Sequence, residues 1–435
     1  MSATSVSSRV SAHQHARRAV IATVIGNGLE WFDFTVYSFF SVIISKVFFP
    51  TGDELTSYLL ALATFGVGFV MRPVGGIVLG IYSDKRGRKA ALSATILLMA
   101  LGTLIIAITP GYAQIGLAAP ALILFARLLQ GFSAGGEMGS ATAFLTEHAP
   151  PGQKGFYSSW IQSSIGLAVM IGAGLGALLS AWLSPEALQS WGWRVPFVIG
   201  CLIGPVGFYI RHRMDETPAY RGEPAPDSPL REVARDYPRQ TLISFSLIVL
   251  WTVCTYAILF YIPSYATRVL KLPSDVGFSA GLLGGLVLVI ATPVVGRLSD
   301  RYGRRPWLLG SALAIFLCAY PMFWLINVLP GLGSLLVFEL VLGLCISGYI
   351  GSILAVFSEL LPARVLSTGL SVAYNLAVTL FGGFATFTIT WLIATTGSNL
   401  APAFYIMIAA AISTAGALLY RDTAGPFHAV LKEAH

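Results

Sequence analysis

The sequence predicts an all-α polytopic membrane protein: twelve transmembrane helices arranged as two six-helix bundles related by a pseudo-twofold axis. Three observations carry that prediction. Of the 435 residues, 55% are hydrophobic and only 11% are charged, with a mean hydropathy of +0.75. A soluble domain carries roughly a quarter charged residues, so this chain cannot cover a water-facing surface and lipid must face most of it. Second, the chain holds twelve apolar segments close to the length of about 20 residues that crosses a bilayer. Third, Gly80-Ile-Tyr-Ser-Asp84-Lys-Arg-Gly87-Arg88-Lys89 recurs as Gly296-Arg-Leu-Ser-Asp300-Arg-Tyr-Gly303-Arg304-Arg305, each time between two long apolar segments. The same charged loop at matching places in both halves implies a duplicated membrane module.

The twelve segments are 19–45, 55–81, 90–110, 117–146, 157–183, 195–211, 241–267, 276–296, 306–327, 332–360, 367–396 and 400–421. Their lengths and their Gly and Pro content fit helices, not barrel strands of about ten alternating residues. Six precede and six follow the segment 212–240, which is rich in Arg, interleaved acids and Pro. It reads as a solvated linker with room for one short amphipathic helix. The expected organisation is a cytoplasmic tail (1–18), a first bundle (19–211), the cytoplasmic linker (212–240), a second bundle (241–421) and a second cytoplasmic tail (422–435).

The formal net charge of +7 does not point to nucleic acid, because the charge is not distributed as a binding patch. With a cytoplasmic N-terminus, 21 of the 27 Lys and Arg fall inside; Lys46, Arg194, Arg268 and Lys271 fall outside, and Arg72 and Arg127 fall within spans. That is the positive-inside bias, which here reports topology and contact with an anionic inner leaflet. Residues 1–16 are polar and lack an apolar core with a cleavage site, so no removable signal peptide is expected. Cys201, Cys254, Cys318 and Cys345 sit in apolar spans at no metal-like spacing, and all six His lie in termini or loops. The expectation is therefore no metal and no imidazole relay inside the membrane.

An ionisable side chain in a helix core costs about 2.5–3.5 kcal/mol on insertion scales, so each one is a functional hypothesis. Span one carries Glu30 and Asp33, three residues apart on neighbouring parts of one helix face. Asp33 lies about 14 residues into the span, about 21 Å along its axis. A carboxyl at that depth can exchange protons, because burial disfavours its charge and a nearby cation restores it. The alternative is a permanent ion pair holding spans one, two and four together. Span two carries Arg72 beside Pro73, placed to attract an anion or to pair with Glu137. Span four carries Arg127, Gln130 and Glu137; a guanidinium stays charged and can grip a carboxylate through two parallel hydrogen bonds. Glu137 follows Gly135-Gly136, small residues that permit close helix approach, and is read as structural.

Thr146-Glu147-His-Ala-Pro150 recurs as Ser358-Glu359-Leu-Leu-Pro362, a shift of 212 that also carries Arg127 onto Glu339 and Gly131 onto Gly343. The halves thus place opposite charges at equivalent points. Glu339 is a second proton site or a packing charge; Glu147 and Glu359 are structural charges. Tyr37 in span one, Gln162 and Ser163 in span five, Thr255 and Tyr256 in span seven, and Tyr374 and Asn375 in span eleven either line a cavity or bond one helix to another.

The loop motifs Gly80, Asp84, Gly87, Arg88 and Gly296, Asp300, Gly303, Arg304 read as a cytoplasmic gate. An acid at a helix N-terminus gains from its dipole. Asp84 is placed to meet span eleven near Thr368, and Asp300 to meet span five near Phe156. Such contacts exist only with the cytoplasmic side closed, which would bias an outward-open state. No phosphate-binding loop, metal cluster or nucleophile elbow is present in the sequence. An enzyme is not expected, and neither is a cofactor.

These residues resemble the major facilitator superfamily and, within it, the metabolite:proton symporter family, over about residues 20–422. The loop motif and Arg127-Leu-Leu-Gln130-Gly131-Phe-Ser-Ala-Gly135-Gly136-Glu137 carry the superfamily resemblance. Gly26-Asn27-Gly-Leu-Glu30-Trp31-Phe-Asp33-Phe-Thr-Val-Tyr37, Arg72-Pro73-Val-Gly75-Gly76, Trp193-Arg194-Val-Pro196-Phe197 and Glu216-Thr217-Pro218 carry the family. The stretch Lys154-Gly155-Phe156-Tyr157-Ser-Ser-Trp160-Ile-Gln162-Ser163 and Phe381-Gly382-Gly383 look most like the citrate and tricarballylate members. Related members often have Trp-Gln-Ser where this chain has Trp160-Ile161-Gln162, and Thr386 stands where they tend to carry Pro. A long heptad tail of the osmosensing proline/betaine kind is not expected.

The resemblance implies a monomeric symporter of the bacterial inner membrane. It would import a di- or tricarboxylate with protons by alternating access, with the proton gradient as energy source. Asp33, Glu30 and Glu339 would couple protons. Arg127, Arg72, Tyr37, Gln130, Gln162, Ser163, Tyr256, Tyr374 and Asn375 would bind substrate. The alternatives are a proton symporter of a zwitterion or hydroxy acid (betaine, proline, shikimate), a metabolite sensor that moves nothing, and an exporter.

Overall fold

Helices form along the apolar segments because a backbone in lipid must satisfy its own hydrogen bonds. The computed structural model describes residues 23–86, 88–212 and 229–421. Span one is α1 (Thr23–Phe39) and α2 (Ser41–Phe48), bent by 65° where they meet. The Ser41 hydroxyl donates to the Ser38 carbonyl at the bend, 2.6 Å away. Next come α3 (Glu54–Arg86), α4 (Arg88–Ile108) and the one-turn α5 (Tyr112–Ile115). Span four is α6 (Ala118–Ala134) and α7 (Glu137–His148), interrupted at Gly135-Gly136. Then follow α8 (Lys154–Trp182), the short α9 (Pro185–Ser190) and α10 (Val195–His212).

In the second half the short α11 (Pro229–Asp236) precedes α12 (Pro238–Cys254). Span seven continues through a π-helical turn, Thr255–Phe260, into α13 (Ile262–Arg268). Then come α14 (Ser274–Tyr302), α15 (Arg305–Val328) and α16 (Leu332–Leu360). Span eleven is α17 (Ala363–Ala377), a second π turn at Val378–Gly383, and α18 (Ala385–Thr396); α19 (Ala401–Leu419) is the twelfth. Where similar chains carry Pro near position 386, this span is interrupted by the π turn just before it. Among the described residues nine helices are long and apolar enough to cross a membrane, ten if the bent pair is one span. The apolar stretch Ser93–Ile108 within α4 and the helix α10 account for the other two of the twelve segments.

The two halves pack alike. In the first, α6 lies against α3 and α4, and α4 against α10; in the second, α16 lies against α14 and α15, and α15 against α19. The third span of each half turns a large apolar stripe outward: Leu97, Leu101, Leu104 and Ile108 on α4, and Leu313, Leu317, Tyr320, Trp324 and Val328 on α15. Steps of three and four keep each stripe on one face. The inside is correspondingly polar in places, with Arg72, Arg127, Gln130, Gln162 and Glu339 all buried. This is a soluble protein's pattern reversed, as lipid requires.

The halves meet along α8 and α14. A Cβ at Gly155 would stand 2.5 Å from the Gly296 carbonyl oxygen, and one at Gly285 would stand 2.7 Å from that of Gly166. Both pairs need glycine, and the two lie eleven residues apart on each helix, three turns. Of the linker, residues 213–228, including Glu216-Thr217-Pro218, lie outside the described residues. The helix α11 lies against α17, with Val233 buried beside Gly369.

Candidate functional site

Two guanidinium groups stand at the centre, inside a shell of rings. Arg127 on α6 has its guanidinium carbon 4.6 Å from the Tyr37 ring centre, 4.8 Å from Phe65 and 4.9 Å from Phe34. Arg72 on α3 lies 5.1 Å from Phe69, 5.5 Å from Phe34 and 5.6 Å from Tyr374. Ring faces attract cations within about 6 Å, which offsets part of the cost of burying both charges. Arg72 Nη2 also donates to Glu30 Oε1 at 3.2 Å, so Arg72 meets Glu30 where the sequence offered Glu137. Among the described residues Arg127 has no carboxylate within ion-pair distance. Its Nε and Nη2, and the Nε and Nη1 of Arg72, have no hydrogen-bond partner. Rings of the first half meet rings of the second in front of them: Trp31 lies 6.2 Å from Tyr256 and 6.0 Å from Phe260, and Phe69 lies 5.5 Å from Tyr256.

Asp33, 4% exposed, is turned toward α4 and α10. The Thr103 hydroxyl donates to its Oδ2, and a Cβ at Gly200 would stand 2.7 Å from its Oδ1. No direct ion pair joins it to Arg127. Two neutral side chains bridge them: Arg127 Nη1 donates to Gln130 Oε1 (2.6 Å), and Gln130 Nε2 donates to Thr103 Oγ1 (3.0 Å). The Gln130 amide is thus committed at both ends and stands on the α4 side of Arg127. Thr103 was not singled out in the sequence, where it is one of four hydroxyl residues in the third span beside Ser93, Thr95 and Thr109. The rings Trp31, Phe34, Phe65 and Phe69 were missed too, since aromatic residues are ordinary in membrane helices.

Glu339 on α16 is fully buried, and neither carboxyl oxygen has a hydrogen-bond partner. It lies against Gly284 and near Leu259. The other sequence-predicted residues divide. Tyr37 donates to the Ala61 carbonyl at 3.1 Å, and Ser163 donates to that of Val289 at 3.0 Å, so both bond helix to helix. Asn375 Nδ2 donates to the Gly135 carbonyl at 2.8 Å, a carbonyl that the break between α6 and α7 exposes. Its Oδ1, both polar atoms of Gln162 and the Tyr256 hydroxyl have no partner. Tyr374 is buried against Trp251, 5.1 Å between ring centres. Thr255 bonds to the Trp251 carbonyl within its own helix.

At one end of the interface the Asp300 carboxylate accepts from the backbone N–H groups of Gly155 and Phe156, each at 2.8 Å. It thereby caps α8 of the opposite half. Arg304 donates to Asp300 at 3.0 Å and to Glu359 at 2.7 Å, and the Tyr420 hydroxyl donates to Glu359. Desolvation works against the Arg304 charge, but Glu359 and Asp300 outweigh it and hold the guanidinium above its ordinary range. Glu137 accepts from Thr95 at 3.0 Å, and Glu147 is exposed at the end of α7. Gly80, Asp84, Gly87 and Arg88 lie outside the residues whose side chains are described. At the other end Ser38 donates to the Phe260 carbonyl (3.3 Å), Ser41 and Ser264 lie 3.4 Å apart, and the Phe40 ring packs tilted against that of Phe278, 5.6 Å between centres. The interface is therefore bridged at both ends, whereas the sequence tied the Asp300 contact to an outward-open state.

The sequence profile of the Major Facilitator Superfamily matches residues 23–386. A protein of Salmonella typhi named citrate-proton symporter is 38% identical over 90% of this chain and 91% of its own. A glycine betaine/proline/ectoine/pipecolic acid transporter of Dickeya dadantii is 34% identical over 94% of this chain and 84% of its own. Among solved structures, the proton:xylose symporter XylE superposes with a TM-score of 0.77 at 16% identity, covering 95% of this chain and 97% of that one.

Proposed function

The chain belongs to the major facilitator superfamily, and on that premise we propose that it imports a small organic carboxylate, citrate-like in charge and size, together with protons by alternating access. The observation that carries the substrate class is the pair of buried guanidinium groups with four unpartnered nitrogens among them. A buried charged donor without an acceptor is expensive. A carboxylate between the bundles would supply the acceptors, two-pronged at each planar fork. The similarity to citrate-proton symporters supports the same reading. The setting is the inner membrane of a bacterial cell, with both tails on the cytoplasmic side.

Coupling follows from the bridge behind Arg127. With no substrate, the Arg127 charge is shared with Asp33 through Gln130 and Thr103. A bound carboxylate takes that charge for itself, and Asp33 then gains a proton to stay neutral in a buried place. The Thr103 hydroxyl has a second acceptor in place, the Met99 carbonyl at 3.0 Å, so it can turn away when Asp33 carries its own hydrogen. Substrate and proton are thereby loaded together, and the bundles rock with the charge compensated. Glu339 offers a second carboxyl for a proton in the opposite half, and Glu30 stays paired to Arg72.

A zwitterion such as betaine is the second reading, favoured by the many rings and by the similarity to betaine transporters. The ring faces of Phe34, Tyr37, Phe65 and Phe69 already hold guanidinium groups, however, which leaves fewer for a quaternary ammonium. Uptake into proteoliposomes under an imposed pH gradient, competed by a panel of organic acids and by betaine, separates the two. Competition by betaine and by none of the carboxylates would overturn the substrate assignment.

A further inference from the structure

A crevice opens beside Asp33 that belongs to one bundle alone. Its lining comes from α1, α4, α6, α7 and α10 and includes Glu30, Asp33, Thr95, Ser133 and Glu137, with no residue from the second half. Its volume of about 40 Å³ has room for about three waters at 10–15 Å³ each. Asp33 Oδ1, buried and without a hydrogen-bond partner, belongs to this lining. Of the polar groups, Asp33, Ser133 and Thr95 are buried, and Glu137 alone reaches intermediate exposure. Small residues keep the space open. A Cβ at Gly204 would stand 2.8 Å from the Ala100 methyl, and one at Gly200 would press on Asp33.

The crevice also has a direction. On α1 the lining spans Gly26 to Asp33, on α4 Thr95 to Ala100, and on α10 Gly200 to Gly204. On each helix it runs from the level of Asp33 toward the end where α3 and α4 are joined, which the charge distribution assigns to the cytoplasm. Seven residues of helix cover about 10 Å. The groups that act on Asp33 from the surrounding elements are Thr103 on α4 and Arg127 on α6, and the Cys201 thiol on α10 lies within its electrostatic reach. Glu30, one turn away on α1, is held by Arg72 of α3.

We propose that the proton leaves Asp33 for the cytoplasm through this crevice, with Glu137 as its receiving group, and does not share the route the substrate takes between the bundles. The O–H bond of protonated Asp33 breaks, the proton passes to water in the crevice and then to the Glu137 carboxylate, and Glu137 gives it up at the inner surface. Asp33 regains its negative charge as the substrate carboxylate leaves Arg127, so the pair is neutral before and after. The inference rests on Asp33 as the coupling site.

Ala100→Leu fills the crevice and touches neither Arg127 nor the interface between the bundles. In proteoliposomes it should slow citrate uptake driven by a pH gradient about tenfold, a barrier change of about 1.4 kcal/mol. Citrate-for-citrate exchange at equal pH needs no proton release and should stay within about twofold, well under that barrier change. Glu137→Gln should slow gradient-driven uptake, and Glu137→Asp should restore part of it. Uptake and exchange falling together in Ala100→Leu, or neither falling in any of the three variants, overturns the proposal. Asp33→Asn tests the reading beneath it. Retained proton-driven uptake there removes both ideas, whereas loss there with Ala100→Leu and Glu137→Gln unchanged removes the crevice alone.

Discussion

Arg127 is wholly buried, carries a full charge and has only neutral neighbours within bonding distance, and the proposed carboxylate would complete it. Replacement by Lys keeps the charge but loses the planar fork. Losing one charge-assisted hydrogen bond costs about 2 kcal/mol, so Arg127→Lys should raise the half-saturating substrate concentration roughly thirtyfold. Initial uptake rates across a concentration series measure this, and an unchanged value would place the substrate elsewhere. Thr103→Val cuts the bridge and leaves both charged ends in place. Exchange should persist while accumulation against a gradient falls toward equilibrium, read from steady-state internal label. The charged residues of this site were legible in the sequence because lipid makes each one conspicuous. Their partners were not. Nothing in the sequence ranks Gln130 and Thr103 above other polar residues, and only packing shows that Asp33 faces α4 and α10 with a glutamine between it and Arg127.

Helix existence was similarly legible, since twelve apolar runs leave little choice, but helix interruption was less so. Span four breaks at Gly135-Gly136, which the sequence offered only as small residues for close helix approach. Spans seven and eleven instead carry π turns with no proline inside them, and such turns gather at functional sites. The two turns pack together, with Gly382 against Thr252 and Tyr256. Asn375 then bonds to the carbonyl that the broken fourth span exposes. Asn375→Leu leaves that carbonyl unpaired at a cost of about 1–3 kcal/mol, and the melting temperature in detergent should fall measurably. The Gly135→Ala variant should be harsher, because its methyl would overlap the Arg72 carbonyl. A melting curve unmoved by either change would show that the break is not held by this contact.

For the molecule as a whole, the doubled loop motif made the duplication legible, and the Asp300 cap on α8 gives the proposed gate its atoms at that end of the interface. Removing that carboxylate's charge in Asp300→Asn should favour opening on that side. Reaction of a Ser159→Cys thiol with a membrane-impermeant reagent, added from the cytoplasmic face, should speed up by about tenfold, the effect of 1.4 kcal/mol. Equal rates would show that the cap does not hold the gate. The seam between the halves has a consequence of a mechanical kind. Where α8 and α14 touch at Gly155–Gly296 and Gly166–Gly285, backbone rests on backbone, with the short side chains of Ser159 and Ser299 and the Cβ of Leu288 close beside it. Such a contact works as a nearly plain bearing: at these points the two halves can tilt with few long side chains to withdraw. A single added methyl at Gly285, 2.6 Å from the Met170 nitrogen, would then act as a brake on every substrate alike, from a place that no substrate touches.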